Sequence, residues 1–328
     1  MWRETGLWRD VSELPETLAE TLDRGKGIGE VAALLRGARR VVASGNGAAY
    51  YVAVALWLAS LEGDGPEVLA VPSGLLARDA FRWRPGDVFL AISSSGEFRD
   101  LVEAVDGGAP RPYAAVTATP GSTVGRQAGV LAHVSVREQR AVSHTQAFCG
   151  AVAAALSVWA DVTGDAALGG ALRRLPETTA AAIAAAEHWE PDLLDAPYAV
   201  TFGSGPGWGA ALEAALLLKE VSGIPAEGVE TREAATTAMM ALQPGHLGLT
   251  LPAGGDDPLL TEAEEICRSR GATVLHAPAP TGVDRRLAAV TTFPAAAALA
   301  VRLGLERGLD VDEPGWTGAY YAVARANR

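Results

Sequence analysis

The sequence predicts an α/β fold made of two similar halves, each built on a parallel β-sheet. Short apolar strands alternate with helical patterns along the chain, which is typical of parallel strands that carry helices on both faces. Each half also opens with a strand that leads into a glycine-containing turn and then a helix, first at 39–60 and again at 197–221. The chain has 328 residues, which suits two domains of roughly 150 residues each.

In the first half, apolar runs predict five strands and helical periodicity predicts three helices. The strands are expected over 39–45, 67–72, 87–93, 113–118 and 130–135. The helices are expected over 11–24, 28–36 and 48–60. The first of these helices has Ser12 as its expected cap and Pro15 in its first turn.

The second half repeats this plan, which indicates an internal duplication. Strands are expected over 197–203, 247–251, 273–276 and 287–292, and a long helix over 209–221. A helix-rich stretch from Thr145 to His188 joins the halves. Its apolar part, 147–160, is shorter than the ~20 residues that span a bilayer, so we expect a buried helix there.

Composition and charge exclude several classes of protein. The formal net charge of −12 at pH 7 disfavours nucleic-acid binding, which needs a clustered positive field. Cys149 and Cys267 lack CxxC spacing, which excludes a disulfide framework, and the five histidines show no metal-ligand spacing. The first ten residues are charged and lack the apolar core of a signal peptide. We therefore expect a cytoplasmic protein with no membrane partner, metal or cofactor.

The clearest candidate site is a run of three serines between a predicted strand and a predicted helix, Ser93-Ser94-Ser95-Gly96-Glu97. Hydroxyls and backbone N–H groups at the positive end of a helix dipole are suited to bind an anion. The structural alternative is that one serine caps the helix and Glu97 completes its first turn, but three serines in a row favour an anion site. A second turn, Ser44-Gly45-Asn46-Gly47, fits an anion site and a plain tight turn equally well.

The helix after a third glycine turn, 203–208, is apolar nearly all round, so it is expected to be buried. Glu213 and Glu220 share one of its faces. A buried carboxylate is costly unless it is paired or used, and burial raises its pKa towards the range useful for proton transfer. The alternatives, weighted equally, are a structural ion pair, for example with Arg232, or exposure at the helix end.

Six segments in the same order resemble the double-SIS (sugar isomerase) family, typified by the isomerase half of glucosamine-6-phosphate synthase. Phosphosugar isomerases, deaminases and deglycases share the pattern. The similar segments are the N-terminal helix over 1–15, the turn at 44–47, the Ser-x-Ser-Gly-Glu loop at 93–97, the segment 144–148, the helix segment 212–220 and the Asp-x-Asp-x-Pro signature at 310–314. The resemblance implies two SIS domains, over 1–165 and 166–328. Each would be a three-layer α/β/α sandwich with a mostly five-stranded parallel sheet, as in flavodoxin-like folds.

The resemblance also implies the site residues. Glu220 falls on the family's catalytic base, which moves a proton between C1 and C2 of an open-chain sugar, and His144 is the second predicted catalytic residue. Substrate-binding positions are expected at Ser44, Gly45, Asn46, Gly47, Ser93, Ser94, Ser95, Glu97, Phe98, Val142, Glu213, Thr236 and Ala319. Family members usually complete the site across a dimer interface, so we expect a homodimer with the active site near that interface.

The chain departs from the family at positions that matter for chemistry. The family histidine that opens the sugar ring aligns with the stretch 236–238, and two family lysines align with Ala319 and Leu217. Gly47 and Phe98 replace hydroxyl residues beside the serine loop, and His144 stands where the family has serine. Loss of a general acid or donor typically lowers the rate about 10²–10³-fold. An ordinary isomerase that acts on a cyclic sugar is therefore not expected.

Three hypotheses about function follow. The leading one is an isomerase, deaminase or deglycase that acts on a sugar-phosphate or amino-sugar-phosphate derivative, with Glu220 as base and His144 or His246 as proton donor. Open-chain or amine-linked ketose derivatives suit it best. The second is a catalytically weak or inactive SIS protein that binds or senses a sugar phosphate. The third is a biosynthetic enzyme that acts on an unphosphorylated or carboxylated sugar derivative.

Overall fold

A computed structural model describes residues 1–23, 27–78, 80–193 and 195–324. These residues contain nine strands, all in parallel sheets. The strands are β1 (Arg40–Ser44), β2 (Glu67–Ala70), β3 (Asp87–Ile92), β4 (Ala114–Thr117), β5 (Val130–His133), β6 (Ala199–Gly203), β7 (Ala226–Glu230), β8 (Leu247–Thr250) and β9 (Thr273–His276).

The same residues contain fifteen α-helices. They are α1 (Gly6–Ser12), α2 (Leu14–Asp23), α3 (Ile28–Arg36), α4 (Ala48–Ser60), α5 (Ser73–Ala77), α6 (Arg99–Asp106), α7 (Thr123–Gln127), α8 (Thr145–Thr163), α9 (Ala166–His188), α10 (Gly207–Ser222), α11 (Thr231–Ala234), α12 (Pro258–Ser269), α13 (Ala288–Thr291), α14 (Phe293–Glu306) and α15 (Thr317–Ala324). Short 3-10 helices cover Trp2–Glu4, Ala238–Ala241 and Arg285–Leu287.

The chain divides into two compact units, each with one sheet. Within the described residues, the five-stranded unit comprises 16–137, 146–173 and the tail from Trp316 to Ala324, and the four-stranded unit comprises 1–15, 138–145 and 174–315. The segments 1–15 and 138–145 therefore group with the second sheet, and the tail groups with the first. The predicted domain boundary at 165/166 stays a prediction, and the two units do not follow it.

The five-stranded sheet has the order β2-β1-β3-β4-β5. The chain leaves β1 towards β2 on one side and returns to β3 on the other, so the order reverses between β1 and β3. In open α/β sheets, ligands bind beyond the carboxyl ends of the strands at such a switch point. The turn after β1 and the serine loop after β3 lie on either side of this point.

The four-stranded sheet has the order β7-β6-β8-β9, which repeats the same arrangement with one strand fewer. Its switch point lies between β6 and β8. The prediction of two parallel-sheet α/β units is therefore confirmed, whereas a five-stranded second sheet is wrong; the internal duplication stays a prediction.

The missing fifth strand was expected over 287–292. That stretch is helical instead, with a 3-10 turn over Arg285–Leu287 followed by α13 and α14. A short apolar run fits a buried strand and a buried helix equally well. In the same sheet, β7 was not predicted, because Glu227 and Glu230 interrupt its apolar pattern at a sheet edge.

The remaining predicted strands, and the predicted helices over 28–36, 48–60 and 209–221, agree with the structure to within two residues at each end. The first helix does not. The chain forms α1 and α2 with a break at Glu13, and the Thr5 side chain caps α1 by accepting a hydrogen bond from the Trp8 N–H. Ser12 is not a cap, since its hydroxyl donates to the Trp8 carbonyl inside α1, while Pro15 does lie in the first turn of α2. The end of the predicted helix, Arg24, lies outside the described residues.

Buried apolar side chains hold each sheet to its helices. All five residues of β1 are buried, as a strand covered on both faces requires. Beside it, Phe89, Leu101 and Tyr113 are fully buried in one cluster, and the Tyr113 hydroxyl donates to the Val124 carbonyl over 2.7 Å. Full burial of such side chains contributes about 1.5–3 kcal/mol each, so this cluster fixes the strands that position the serine loop.

Two helical stretches, Thr145–Thr163 and 285–306, have the length and composition of membrane spans. The most apolar windows of these stretches are 89% and 94% buried inside the protein, which is the pattern of core helices. The expectation of a buried helix over 147–160 is confirmed.

Candidate functional site

The serine loop in the five-stranded unit is built by its own hydrogen bonds. The Ser93 hydroxyl oxygen accepts from the Gly96 N–H over 2.9 Å, and the Ser95 oxygen accepts from the Glu97 N–H over 3.3 Å. The N-cap of α6 is Phe98, which makes no side-chain cap bond. The alternative in which a serine caps this helix is therefore wrong. The three serines lie in the loop that precedes the helix, as an anion site requires.

Glu97 connects the loop to the next helix rather than completing the first turn of α6. One of its carboxylate oxygens, Oε1, accepts from the Thr123 N–H over 2.7 Å, at the start of α7. The hydroxyls of Thr117 and Thr119 both donate to the Ser94 carbonyl. The loop is thus fixed from the α7 side and from the end of β4.

Two buried oxygens at this edge of the sheet lack a hydrogen-bond partner among the described residues. They are Ser44 Oγ, at the end of β1, and Glu97 Oε2, after β3. Ser44 is fully buried. An unsatisfied buried polar atom costs about 1–3 kcal/mol and is rare in folded proteins. Such atoms on both sides of the switch point are consistent with a site that binds a polar ligand.

The turn after β1 is tight and also lies at the switch point. The two interpretations of this turn, a plain tight turn and an anion site, are therefore compatible. A side chain at Gly45 would meet the backbone of Ala49 at 2.7 Å, and Gly47 has a φ of 54°. Asn46 is held by its Oδ1, which accepts from the Ser73 hydroxyl over 2.6 Å. A built Cβ at Gly47 would meet nothing within 4 Å, so the missing side chain leaves open space there.

Replacement of Gly96 by alanine is expected to disrupt the serine loop. Gly96 has a φ of 63°, and a Cβ there would meet the hydroxyl of Ser122. Because the φ strain and the overlap add, we expect a loss of about 2–4 kcal/mol in the free energy of unfolding. Urea unfolding of G96A checks this, with Gly121→Ala as the control because a Cβ at Gly121 meets nothing within 4 Å. Equal stability of the two variants would contradict the prediction.

Aromatic side chains lie directly after the loop in the same unit. The ring centroids of Phe98 and Tyr320 are 6.4 Å apart, and those of Trp316 and Tyr320 are 5.6 Å apart. Ala319 is exposed on the same short helix, α15. Where the family has a hydroxyl and a lysine, this unit therefore presents an aromatic ring and a methyl group.

In the four-stranded unit, Glu220 lies near the end of α10 with its side chain largely out of water. Its Oε2 accepts from the Ser143 hydroxyl over 3.1 Å. Desolvation raises the pKa of Glu220 to about 6, against the opposing effects of the Ser143 hydrogen bond and the Lys219 charge. A carboxylate with a pKa in this range is largely ionised at neutral pH and can still take up a proton, which is what a general base needs.

Glu213 lies on the same helix and is buried more deeply. Its side chain is only 5% exposed, and its Oε2 has no hydrogen-bond partner among the described residues. Desolvation, reinforced by the negative charge of Glu220, raises the pKa of Glu213 well above its usual value. The suggested ion pair with Arg232 is wrong, since Arg232 pairs with Glu262 over 2.7 Å.

The other candidate residues in this unit differ in burial: His144 and Thr236 are exposed, whereas His246 is buried. His144 is exposed just before α8, and the hydroxyl that reaches Glu220 belongs to its neighbour Ser143. His246 is buried at the start of β8, where its Nε2 lies 3.2 Å from the Gln243 amide nitrogen. Thr236 is exposed and its hydroxyl donates to the Glu233 carbonyl. Roles for His144, His246 and Thr236 in proton transfer or binding stay predictions.

A pocket of about 540 Å³ lies beyond the carboxyl ends of β8 and β9. Its lining includes Asp256, Asp257, Glu262, Glu264 and Glu265. So many carboxylates disfavour an anionic ligand in this pocket. Within the described residues, no cluster of three or more histidine, cysteine or acidic side chains is arranged to hold a metal ion.

No protein-family model matches the chain. A glutamine–fructose-6-phosphate aminotransferase (isomerizing) from Aeropyrum pernix is 29% identical in an alignment 352 positions long. The alignment covers 94% of this chain and 55% of that protein. One from Leifsonia xyli is 30% identical over 291 residues, covering 74% of this chain and 46% of that protein. The chain spans about half the length of the curated relatives it matches.

Among solved structures, a protein from Silicibacter pomeroyi carries the provisional name phosphosugar isomerase. It has a TM-score of 0.80 at 26% identity, over 94% of this chain and all of that one. The chain shares its fold. The expectation that phosphosugar isomerases and amino-sugar enzymes are its relatives, drawn from the serine loop and the α10 motif, is confirmed at this level.

Sequence patterns missed Ser143, the residue whose hydroxyl contacts Glu220 in the four-stranded unit. Ser143 stands next to the predicted His144, and the hydroxyl before α8 was the available signal. Val142, predicted to bind substrate, donates its N–H to the Asp312 carbonyl over 2.9 Å. The Asp-x-Asp-x-Pro signature also caps α1, since the Asp312 carboxylate accepts from the N–H groups of Gly6 and Leu7 over 2.8 Å.

Proposed function

We propose that the chain is a SIS-family enzyme that moves a proton between C1 and C2 of an open-chain sugar-phosphate or amino-sugar-phosphate derivative, with Glu220 as the base. The observation that carries the proposal is the state of Glu220, a largely buried carboxylate that accepts from Ser143 and has a pKa of about 6. The named activities of the relatives, isomerising aminotransferases and a provisionally named phosphosugar isomerase, supply the substrate class.

The proposed chemistry needs a base, a proton donor and a held substrate. Glu220 takes the proton from C1 or C2 while the neighbouring carbonyl oxygen gains one from a donor, for which His144 and His246 are the predicted candidates, and an enediol or enolamine results. Return of the carbon proton to the neighbouring carbon, with loss of the hydroxyl or amine proton on the first carbon, completes the isomerisation. A single carboxylate with a pKa near the working pH can serve both steps. Within its own unit, the serine loop would bind an anionic group of the substrate through hydroxyls and N–H groups.

The substrate class within this proposal follows from what the site lacks. The position of the family's ring-opening histidine is held by Thr236, whose hydroxyl already donates to a backbone carbonyl. Leu217 and Ala319 stand where the family has lysines, and neither side chain can donate a proton. We therefore infer that the enzyme acts on derivatives that are already open-chain, or on ketoses linked to an amine, where ring opening needs little help.

The proposal is tested by solvent deuterium incorporation. The full chain is incubated in D₂O with hexose 6-phosphates, aminohexose 6-phosphates and amine-linked ketose phosphates, and deuterium at C1 and C2 is followed by NMR. We expect exchange with the amine-linked or open-chain compounds and little with the cyclic ones. Absence of exchange with every compound would contradict the proposal.

The second candidate function is binding or sensing without turnover. It is favoured by the first unit's anion-loop region, where Ser44 Oγ and Glu97 Oε2 lack a hydrogen-bond partner among the described residues, and separately by the replaced family donors at Thr236 and Ala319. A thermal-shift measurement with the same compounds separates the two functions. Stabilisation by a compound that shows no exchange supports a sensor, whereas stabilisation together with exchange supports the enzyme.

The nature of the anion is a separate part of the proposal. Gly47 leaves open space beside the loop and Phe98 lacks a hydroxyl, which favours a biosynthetic enzyme on an unphosphorylated or carboxylated sugar as a third possibility. Comparison of each sugar phosphate with its unphosphorylated and carboxylated analogues in the thermal-shift assay tests this. The homodimer is likewise proposed from the family resemblance, and sedimentation equilibrium of the full chain measures it.

A further inference from the structure

The segment 138–145 of the four-stranded unit belongs to no helix or strand before Thr145, yet its backbone is held at three consecutive positions. The N–H groups of Arg140 and Ala141 both donate to the Asp10 carboxylate, over 2.8 and 3.0 Å. The N–H of Val142 donates to the Asp312 carbonyl. A segment without regular structure must find such partners elsewhere, since unpaired N–H groups in the interior are costly.

Asp10 is the centre of this arrangement. Its side chain is only 2% exposed, and besides the two N–H groups it accepts from the Arg140 guanidinium over 2.9 Å. Arg140 also pairs with Glu13 over 2.8 Å and with Glu138 over 2.7 Å. Removal of Arg140 would leave the buried Asp10 carboxylate without this positive partner, so the arrangement around Asp10 depends on Arg140.

The chain approaches this segment closely from α1. A Cβ built at Gly6 would lie 2.9 Å from the Cβ of Arg140 and 3.1 Å from the Cγ of Asp312. Asp312 in turn holds the start of α1. The first helix, the segment and the 310–314 signature are therefore packed with no space for one additional methyl group.

Ser143 is the residue that this anchoring presents to Glu220. It follows Arg140 by three positions, is 4% exposed, and donates its hydroxyl to Glu220 Oε2. A hydroxyl that donates to a carboxylate stabilises the ionised form of the carboxylate. A shift of the segment by about 1 Å would break this hydrogen bond, because its donor–acceptor distance of 3.1 Å is already towards the long end for a hydroxyl.

We propose that Asp10 and Arg140 are positioning residues for the base: they hold the segment 138–145 so that the Ser143 hydroxyl reaches Glu220. This rests on the proposed function of Glu220 as the base. Neither Asp10 nor Arg140 is one of the positions implied by the family resemblance. The arrangement makes the first helix of the chain part of what maintains the ionised state of a carboxylate on α10.

The test is a titration of the Glu220 carboxyl carbon by NMR in the full chain labelled with ¹³C-glutamate, without substrate. The Glu220 signal is assigned by its loss in E220Q. We expect S143A and R140M each to raise the titration midpoint above that of the wild type, and the double variant S143A/R140M to raise it no further than S143A alone. The matched control is R302M. Arg302 lies in the same unit, is 12% exposed, pairs with Glu190 and donates to the Trp189 carbonyl.

Two results would overturn the proposal. One is a Glu220 titration midpoint that is raised in S143A but unchanged in R140M, and the other is an unchanged midpoint in S143A. If R140M does not fold, as judged by circular dichroism, G6A decides instead. It keeps every charge and forces the segment away from α1, so a raised midpoint supports the proposal and an unchanged midpoint overturns it. Where a substrate is turned over, R140M should lower kcat about tenfold at neutral pH with KM changed less than twofold.

The titration distinguishes failure of this inference from failure of the proposed function. It uses no substrate, so the coupling between Arg140, Ser143 and Glu220 can be established even if no compound shows deuterium exchange. Conversely, exchange by the wild type with an unaffected R140M would leave the function intact and remove only the positioning role.

Discussion

Replacement of Glu220 by glutamine is expected to lower proton exchange at the substrate's C1 and C2 by about 10³-fold or more, since the amide has no basic lone pair to accept the proton. The Ser143 hydroxyl can still donate to the amide oxygen, so the surroundings of residue 220 are preserved. Substrate binding, measured by thermal shift, should change little. Deuterium incorporation in E220Q and in the wild type under the same conditions checks this.

The control for this variant is E264Q. Glu264 is also a poorly exposed carboxylate of the four-stranded unit, where it bonds Thr250, Arg268 and His276. We expect E264Q to retain exchange close to the wild-type rate. Exchange retained in E220Q at a comparable rate would show that another group is the base.

The pH dependence of wild-type activity is an independent test of Glu220 as the base. Because Glu220 must be ionised to accept a proton and its pKa is about 6, activity should fall as the pH drops through about 6 and level off above 7. The acid limb should have unit slope, as expected for one essential base. A profile that is flat between pH 5 and 8 would contradict the assignment.

Replacement of Glu213 by methionine is expected to increase stability, by about 1–3 kcal/mol at pH 8, because it removes a buried polar group with an unsatisfied oxygen. The raised pKa determines the sign. An unfolded chain ionises Glu213 near its ordinary pKa of 4.5, whereas the folded protein retains the proton to a higher pH. Above about pH 4.5 the unfolded state therefore binds fewer protons, and the wild type loses stability as the pH rises towards the folded pKa.

Urea unfolding at pH 5 and pH 8 measures this effect. The difference in unfolding free energy between E213M and the wild type should be larger at pH 8 than at pH 5. Only the wild type has a carboxyl group at this position, and its ionisation in the unfolded state lowers the stability of the wild type as the pH rises. L217M, on the same helix and 2% exposed, is the matched control and should show a difference of less than about 1.5 kcal/mol that does not depend on pH. A pH-independent difference for E213M would show that Glu213 is ionised in the folded protein.

The parts of the fold that the sequence predicted are those whose signal is local. Apolar runs identified eight of the nine described strands, and the glycine turns marked the ends of β1 and β6. The exceptions have physical causes. β7 carries two glutamates at a sheet edge, and the apolar stretch 287–292 fits a helix as well as a strand because both are buried.

The serine loop and the α10 motif were also readable from the sequence, because each is a short run whose residue types have a direct chemical meaning. Three adjacent hydroxyls before a helix, and acidic residues on an apolar helix, are unusual enough to identify. The pattern did not show that Phe98 rather than a serine is the N-cap of α6. Nor did it show that Ser44 and Glu97 each have an oxygen with no hydrogen-bond partner in the described part of the chain.

By itself, the sequence determined the class of fold, because that depends on local patterns, and its resemblance to the SIS family pointed to the relatives and to Glu220 as the proposed base. Only the tertiary structure decided which groups act on that base. Ser143 and Glu220 are separated by 77 residues, and Asp10 and Arg140 by 130 residues. Contacts over such separations are set by how sheets, helices and connecting segments pack, and a single sequence carries no periodicity that reports them. The same packing leaves Glu213 buried, with no ion pair among the residues that the structure describes.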